Sequence, residues 1–329
     1  MNYYGKKDNG KLVCLLCSYY CEIDIDKVGI CGVNKNTGEE IKCLVYGHIS
    51  AFNIDPIEKK PLYHFLPDSN SLSLGTVGCN FHCNFCQNHG ISQEKNIDTS
   101  NYIDPKRVVE IAFLNECKSI SYTYNEPTIF YPFAKDIALE AKKKGIKSVF
   151  VSNGFESSEV IEDMKGVIDA INVDLKSFDE KYYKTKLGGN LHQVLENVIT
   201  FNKNGIHLEI TTLLVPTRND SKEEITKMVK WIKENLGVDI PWHISAFHPD
   251  YKELSLPRTS IETLFMAKQL AKDYGLNYVY IGNAGLDNIT SCPKCSENLI
   301  SRKYFEVQSS KLVDGKCPKC NHKIYGVFK

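Results

Sequence analysis

The strongest constraint on this chain is an alternation of strand-like and helix-like segments between residues 71 and 282. "SLSLGTV" (71–77) reads as a buried strand, and "DPKRVVEIAFLNE" (104–116) as a helix capped by Asp104 with Pro105 at its first position. "SISYTY" (119–124) is the next strand, followed by a helix over 128–143 that ends in lysines and Gly145. Strands over 147–153, 169–175, 206–215, 242–247 and 276–282 continue the series. Helices near 191–204 and 260–274 lie between them, and Ser221 with Glu224 reads as a capping box for a third. About six strand–helix units imply a parallel sheet, because consecutive parallel strands need crossover helices. Chemistry in such sheets gathers at the C-terminal ends of the strands.

Thirteen cysteines are many for a chain with no apolar N-terminal stretch. They fall at metal-ligand spacings and not in a disulfide framework. Cys14, Cys17, Cys21 and Cys31 form one group, Cys79, Cys83 and Cys86 a second, and Cys292, Cys295, Cys317 and Cys320 a third. Cys43 and Cys117 read as buried apolar residues. Acidic and basic residues balance at 40 each, which gives no basic excess for nucleic acid. No apolar run is long enough for a membrane span. The expectation is a cytoplasmic protein with three parts: a Cys-rich arm (1–67), an α/β core (68–288) and a C-terminal ribbon (289–329).

The middle cysteine group stops at three ligands, and it follows the first strand of the core directly. Iron–sulfur cubanes usually take four thiolates, so three leave one iron open to a small molecule. A structural zinc site borrowing His82 or His89 is the plain alternative; both histidines read as loop residues. The CxxxCxxC spacing resembles that of radical S-adenosylmethionine (SAM) enzymes. That resemblance implies a partial (β/α)6 barrel and a [4Fe–4S] cluster whose open iron chelates SAM. One electron then cleaves the sulfonium to methionine and a 5′-deoxyadenosyl radical. It implies an electron donor such as flavodoxin or ferredoxin, and an oxygen-sensitive oxidoreductase working anaerobically.

The resemblance also assigns cofactor-binding residues. Phe85 would pack beside the adenine, and Glu126 of "YNEP" would take the SAM ammonium. Asn125 stands where glycyl-radical-enzyme activases carry glycine. Ser152 and Asn153 of "SNG", Asp174 and Lys176 of "DLK", and His248 complete the set. Val151 and Thr211 depart from the activases' aspartate and arginine. Read without the resemblance, Glu126, Asp174 and Lys176 make an ordinary ion-pair set at the mouth of a sheet.

A closer resemblance rests on "CLLCSYYCEIDIDKVGICGVNKN", "DPIEKKPLYHF", "SLGTVGCNFHCNFCQNHGISQ" and "CPKCNHKIYGVF", in that order. The chain is similar to AmmeMemoRadiSam-system radical SAM enzymes, which implies company with AMMECR1-like and Memo-like proteins and supplies no substrate. The paired CxxC knuckles of the ribbon read as a closed zinc site. The arm's four cysteines fit zinc, the preferred reading, or a second [4Fe–4S] cluster serving as an electron relay. "DPIEKKPLYHF" is given no chemistry. The leading expectation is hydrogen abstraction from an unidentified substrate, a protein or peptide being one candidate. The alternatives are a glycyl-radical-enzyme activase and a non-catalytic metal-binding module. A Rossmann-type methyltransferase is disfavoured because no glycine-rich turn follows the first strand.

Overall fold

The computed structural model describes residues 2–7 and 9–329. Its centre is an eight-stranded sheet. The strands are β6 (Ala51–Pro56), β7 (Asn70–Gly75), β8 (Ser119–Tyr122), β9 (Lys147–Ser152), β10 (Ala170–Asp174), β11 (His207–Leu214), β12 (Trp242–Ala246) and β13 (Val279–Gly282). They lie side by side in chain order, so β6 and β13 are the two edges. Strands β7 to β13 are mutually parallel, and β6 pairs antiparallel with β7. All seven strands expected from the sequence are present.

The crossovers carry helices α1 (His89–Ser92), α2 (Pro105–Leu114), α3 (Tyr131–Lys143), α4 (Ser158–Asp163), α5 (Glu180–Tyr182), α6 (Leu191–Lys203), α7 (Lys222–Leu236) and α8 (Ile261–Asp273). Their starts are set by local side chains. Asp104 accepts from the Lys106 N–H, and Ser157, Asn190, Ser221 and Ser260 cap in the same way. The box expected at Ser221 is half made. Ser221 caps Glu224, but the Glu224 carboxylate turns away to accept from Ser177 Oγ (2.6 Å) and Phe178 N (2.7 Å). It therefore ties α7 to the loop after β10.

Short antiparallel strands β1 (Tyr4–Lys6), β2 (Leu12–Cys14) and β3 (Glu22–Ile23), with a hairpin of β4 (Asn34–Asn36) and β5 (Ile41–Cys43), build the arm. Strands β14 (Asn288–Ser291), β15 (Asn298–Lys303) and β16 (Glu306–Ser310) build the ribbon. Strand β6 falls within the segment that the sequence assigns to the arm, yet it belongs to the central sheet. Its Phe52 and Ile54 are exposed, as an edge strand allows, so it carries no buried-strand signature.

The stretch "DPIEKKPLYHF" closes the sheet at the end where β11 and β12 begin. Glu209, fully buried on β11, accepts from Tyr63 N (3.0 Å), His64 N (2.7 Å), His207 Nε2 (3.0 Å) and His243 Nε2 (2.7 Å). Burial opposes its charge, but the hydrogen bonds and charges of His207 and His243 outweigh this and hold the carboxyl well below the usual carboxylate range. Buried Arg302 of the ribbon bonds Tyr63 O (2.7 Å) and Thr290 Oγ1 (2.9 Å) and pairs with Glu58 at 3.4 Å. His64 Nδ1 contacts Tyr325 O (2.6 Å), and His64 Nε2 contacts the Tyr280 hydroxyl (2.6 Å). The carbonyl can only accept, so Nδ1 carries the proton and Nε2 accepts from Tyr280.

Burial pushes His64 down from 6.5 to about 3. It stays neutral when folded and protonates more readily when unfolded. Its contribution is full above pH 6.5 and is lost as pH falls toward 3. Between about pH 7 and about pH 5.5, wild type should lose about 1 kcal/mol more stability than His64→Gln. Urea unfolding at the two pH values measures this; equal losses in both proteins contradict it.

Candidate active site

The C-terminal ends of β7 through β13 surround a cavity of about 240 Å³. Cys79, Cys83, Cys86 and Phe85 line it from the loop after β7. Asn125 and Glu126 enter from the loop after β8, Ser152 and Asn153 from the end of β9, and Asp174 and Lys176 from β10 and beyond. Val151, Thr211 and Leu213 complete the wall on β9 and β11, and Ser245 and Asn283 close it at β12 and β13. All three central cysteines and seven of the eight expected cofactor-binding residues thus share one cavity. His248, half-buried beyond the end of β12, is not among the lining residues. Ser245 occupies that side, held by Asn283 Nδ2 at 2.8 Å. Neither His82 nor His89 lines the cavity, and His89 stacks on Tyr251 at 4.6 Å.

Asn125 and Glu126 position the neighbouring loops. Asn125 Oδ1 accepts from Thr76 N (3.1 Å), while its Nδ2 donates to Thr76 Oγ1 (3.0 Å) and Gly78 O (2.8 Å). It pins the segment that turns into the cysteine loop, a job that glycine at this position could not do. Gly78 itself has φ +87°, and a Cβ there would lie 2.7 Å from Cys31 O. Glu126 Oε1 accepts from Thr128 N (3.1 Å), Thr128 Oγ1 (2.6 Å) and Ser152 Oγ (2.9 Å), and Oε2 accepts from Asn153 N (2.8 Å). One residue therefore caps its own turn and fixes the next loop.

Ser152 Oγ lies also 2.6 Å from Glu156 Oε1. A single hydroxyl proton cannot serve two carboxylates, so one acid of the pair is protonated. Burial, and then the charge of Glu126, raises the Glu156 carboxyl above the usual range. Glu156 is thus the neutral partner, donating to Ser152, which in turn donates to Glu126. Nothing in the sequence spacing of residues 126 and 156 points to this contact.

Burial also raises the Cys79 thiol, and it raises Cys83 to about 12. Such thiols lose their protons when a metal takes them. Lys176 Nζ sits 2.8 Å from Asp174 Oδ2. Burial opposes its charge, but Asp174 and Cys83 outweigh this and hold the ammonium above the usual lysine range. A lasting cation therefore stands beside Cys83, on the wall that the three cysteines share. Thr211 Oγ1 is buried without a partner on the wall of the same cavity. No histidine and no fourth cysteine line it. Three thiols, a fixed cation and an orphaned hydroxyl fit an iron–sulfur cluster with one open position and a polar ligand beside it.

The ribbon presents a different centre. Cys292 and Cys320 Sγ are 3.5 Å apart, Cys295 and Cys317 Sγ 3.6 Å, and all four lie within 4.8 Å of one another. A tetrahedral metal with 2.3 Å thiolate bonds sets edges of about 3.8 Å.

The radical SAM superfamily model matches residues 73–232, and that match makes this chain a radical SAM enzyme. It is 39% identical over 328 residues to the uncharacterized protein MJ0808 of Methanocaldococcus jannaschii, covering 98% of this chain and 97% of that protein. A putative glycyl-radical enzyme activating enzyme, MJ1632, of the same organism is 24% identical over 63% of this chain and 78% of its own length. The benzylsuccinate synthase activating enzyme of Thauera aromatica is 22% identical over 54% of this chain and 57% of its own. Among solved structures, Streptococcus suis SuiB bound to S-adenosylmethionine aligns with a TM-score of 0.51 at 16% identity, over 69% of this chain and 52% of that one. A radical SAM methyltransferase from Sphaerobacter thermophilus aligns with 0.51 at 13% identity, over 67% of this chain and 68% of that one. These two likenesses concern the fold. Among the described residues no helix is long and apolar enough to cross a membrane.

Replacing Asn125 by alanine leaves the buried Thr76 N–H and Gly78 C=O without this partner. The variant should be less stable by about 1–3 kcal/mol in urea unfolding and should load less iron. Unchanged stability and loading would mean that the loop does not depend on Asn125.

Proposed function

We propose that Cys79, Cys83 and Cys86 hold a [4Fe–4S] cluster with one open iron, and that the chain uses it to act on SAM and then on an unidentified substrate. The observation that carries this reading is the convergence of the three thiols, Lys176 and the orphaned Thr211 hydroxyl on one cavity. Once bound, the cluster and SAM supply reductive cleavage to methionine and a 5′-deoxyadenosyl radical, which abstracts hydrogen from the substrate. The protein's own part is to hold and to exclude. Phe85, buried at the wall, offers an apolar face to the adenine. Glu126, held in place by its four donors, orients the SAM ammonium from the loop it anchors. Ser152, Asn153 and Asp174 line the polar side, and His248, beyond the end of β12, is assigned to the ribose by the resemblance alone.

The substrate could be a protein or peptide. Flavodoxin or ferredoxin is the proposed source of the electron. The curved sheet is read as a partial (β/α)6 barrel, the arm as residues 1–67 and the ribbon as residues 289–329 carrying zinc. The ordered motifs around "DPIEKKPLYHF" support placement among AmmeMemoRadiSam-system enzymes, with AMMECR1-like and Memo-like proteins as company. A second reading, a glycyl-radical-enzyme activase, draws on the relatives that carry that name. Val151 and Thr211 at the cavity wall, in place of aspartate and arginine, favour the first.

Anaerobically reconstituted protein with dithionite and SAM should release 5′-deoxyadenosine, and alanine at Cys79, Cys83 and Cys86 together should bring release to background. Release that survives the triple replacement sinks the assignment. For the ribbon, Cys295→Ser with Cys320→Ser should lower bound zinc by about one equivalent per chain. Point variants are preferable to truncation because Arg302 and Tyr325 are built into the core. Unchanged zinc would place the ion elsewhere.

A further inference from the structure

The cysteine loop after β7 has two sides. Phe81, Cys83 and Phe85 line the cavity, whereas His82 and Asn84 between them do not. His82 is exposed, and the next residue, Cys83, is buried. On the reading proposed above, SAM and substrate occupy the cavity. An electron then has to arrive from the His82 side.

Two segments frame that side, and both are bonded to the backbone of the loop. The turn Tyr183–Leu187, which follows α5, offers Leu187 O to His82 N at 2.9 Å. Gly188 (φ +84°) and Gly189 come next. A Cβ on Gly188 would run into the His82 ring, and one on Gly189 into the Phe81 ring. The glycines thus let the turn close on the cysteine loop. Tyr183 and Leu187 are fully buried, so Lys184, Thr185 and Lys186 between them form its exposed crown. In the second segment Lys252 N donates to Asn84 O at 3.0 Å, and its exposed ammonium lies over the Tyr251 ring.

The carboxylates of these segments are engaged elsewhere. Asp179 accepts from Tyr182 N (2.7 Å), Glu180 contacts His192 (2.8 Å), Glu253 pairs with Arg218 (3.1 Å) and Asp250 faces His89 (3.6 Å). Among the described residues none of them pairs with Lys184, Lys186 or Lys252. The chain as a whole has as many acidic as basic residues, so three unpaired ammoniums beside one loop are a local feature and not a general excess.

We propose that Lys184, Lys186 and Lys252 form the docking surface for the electron donor, a small acidic one-electron carrier protein that seats over His82 behind Cys83. One electron leaves the carrier, which is oxidised, and enters the cluster, which is reduced; no atom passes between the two proteins. Carboxylates on the carrier meet the lysines, and such complementarity governs encounter rate and orientation. The inference rests on the radical reading and adds the place where its electron enters.

The test is calorimetric titration of the full chain at low salt with flavodoxin and, separately, with ferredoxin. For the carrier that binds, Lys184→Glu, Lys186→Glu and Lys252→Glu together should raise Kd about tenfold or more, and added salt should weaken wild-type binding. A second triple variant, Lys142→Glu, Lys143→Glu and Lys144→Glu at the end of α3, changes net charge equally and should bind as the wild type does. Dithionite needs no docking surface, so dithionite-driven release of 5′-deoxyadenosine should be unchanged in both variants, which also shows that they fold. An unchanged Kd in the first variant, an equal loss in both, or binding of neither carrier by wild type overturns the proposal. Should the first variant fail to fold, the wild type decides: a Kd that does not respond to salt overturns the proposal, and one that rises with salt agrees. Absence of 5′-deoxyadenosine from wild type, with carrier binding still lost on charge reversal, would count against the function proposed above and leave this surface standing.

Discussion

Two adjacent side chains in the loop after β8 carry the architecture of the cavity. Asn125 reaches back to the segment leaving β7, and Glu126 reaches forward to the segment leaving β9. A parallel sheet brings the ends of its strands to one side, but it does not fix the loops that grow from them. Here buried hydrogen bonds do so. The cost of leaving such groups unpaired makes the arrangement nearly all-or-none. The sulfurs of Cys79, Cys83 and Cys86 are placed relative to Ser152 and Asn153 because both loops are tied to the same dipeptide. Burial raises the Glu126 carboxyl, and its bonds from Thr128, Asn153 and Ser152 oppose that rise.

The opposite end of the sheet is fixed by a second buried carboxylate. Glu209 gathers two histidines and two backbone amides, and Arg302 links that knot to the ribbon through Tyr63 and Glu58. The 55–65 stretch and the ribbon are therefore integral to the core. The arm meets the end of the sheet that carries the cavity, at Gly78 and Glu156. Cysteine groups at both termini are thus packed against one sheet, whose loops hold the cavity.

Much of this was legible in the sequence. The seven parallel strands and the helix caps at Asp104 and Ser221 depend on local periodicity and local hydrogen bonds, which a sequence displays directly. Cysteine spacing marked three groups for the same reason. What was not legible rests on long-range contacts. Strand β6 looks polar because it is an edge. Glu224 breaks the expected box because Phe178, distant in sequence, offers a better donor. Asn125 departs from glycine because Thr76 and Gly78 need its side chain, and Ser245 takes the cavity wall where His248 was expected.

The central claim is that the cavity under the three cysteines binds SAM at an open cluster position. The most direct measurement is the electron paramagnetic resonance spectrum of dithionite-reduced, reconstituted protein before and after SAM is added. The account predicts a change in the signal that disappears when Cys79, Cys83 and Cys86 are replaced. A spectrum unmoved by saturating SAM would contradict it.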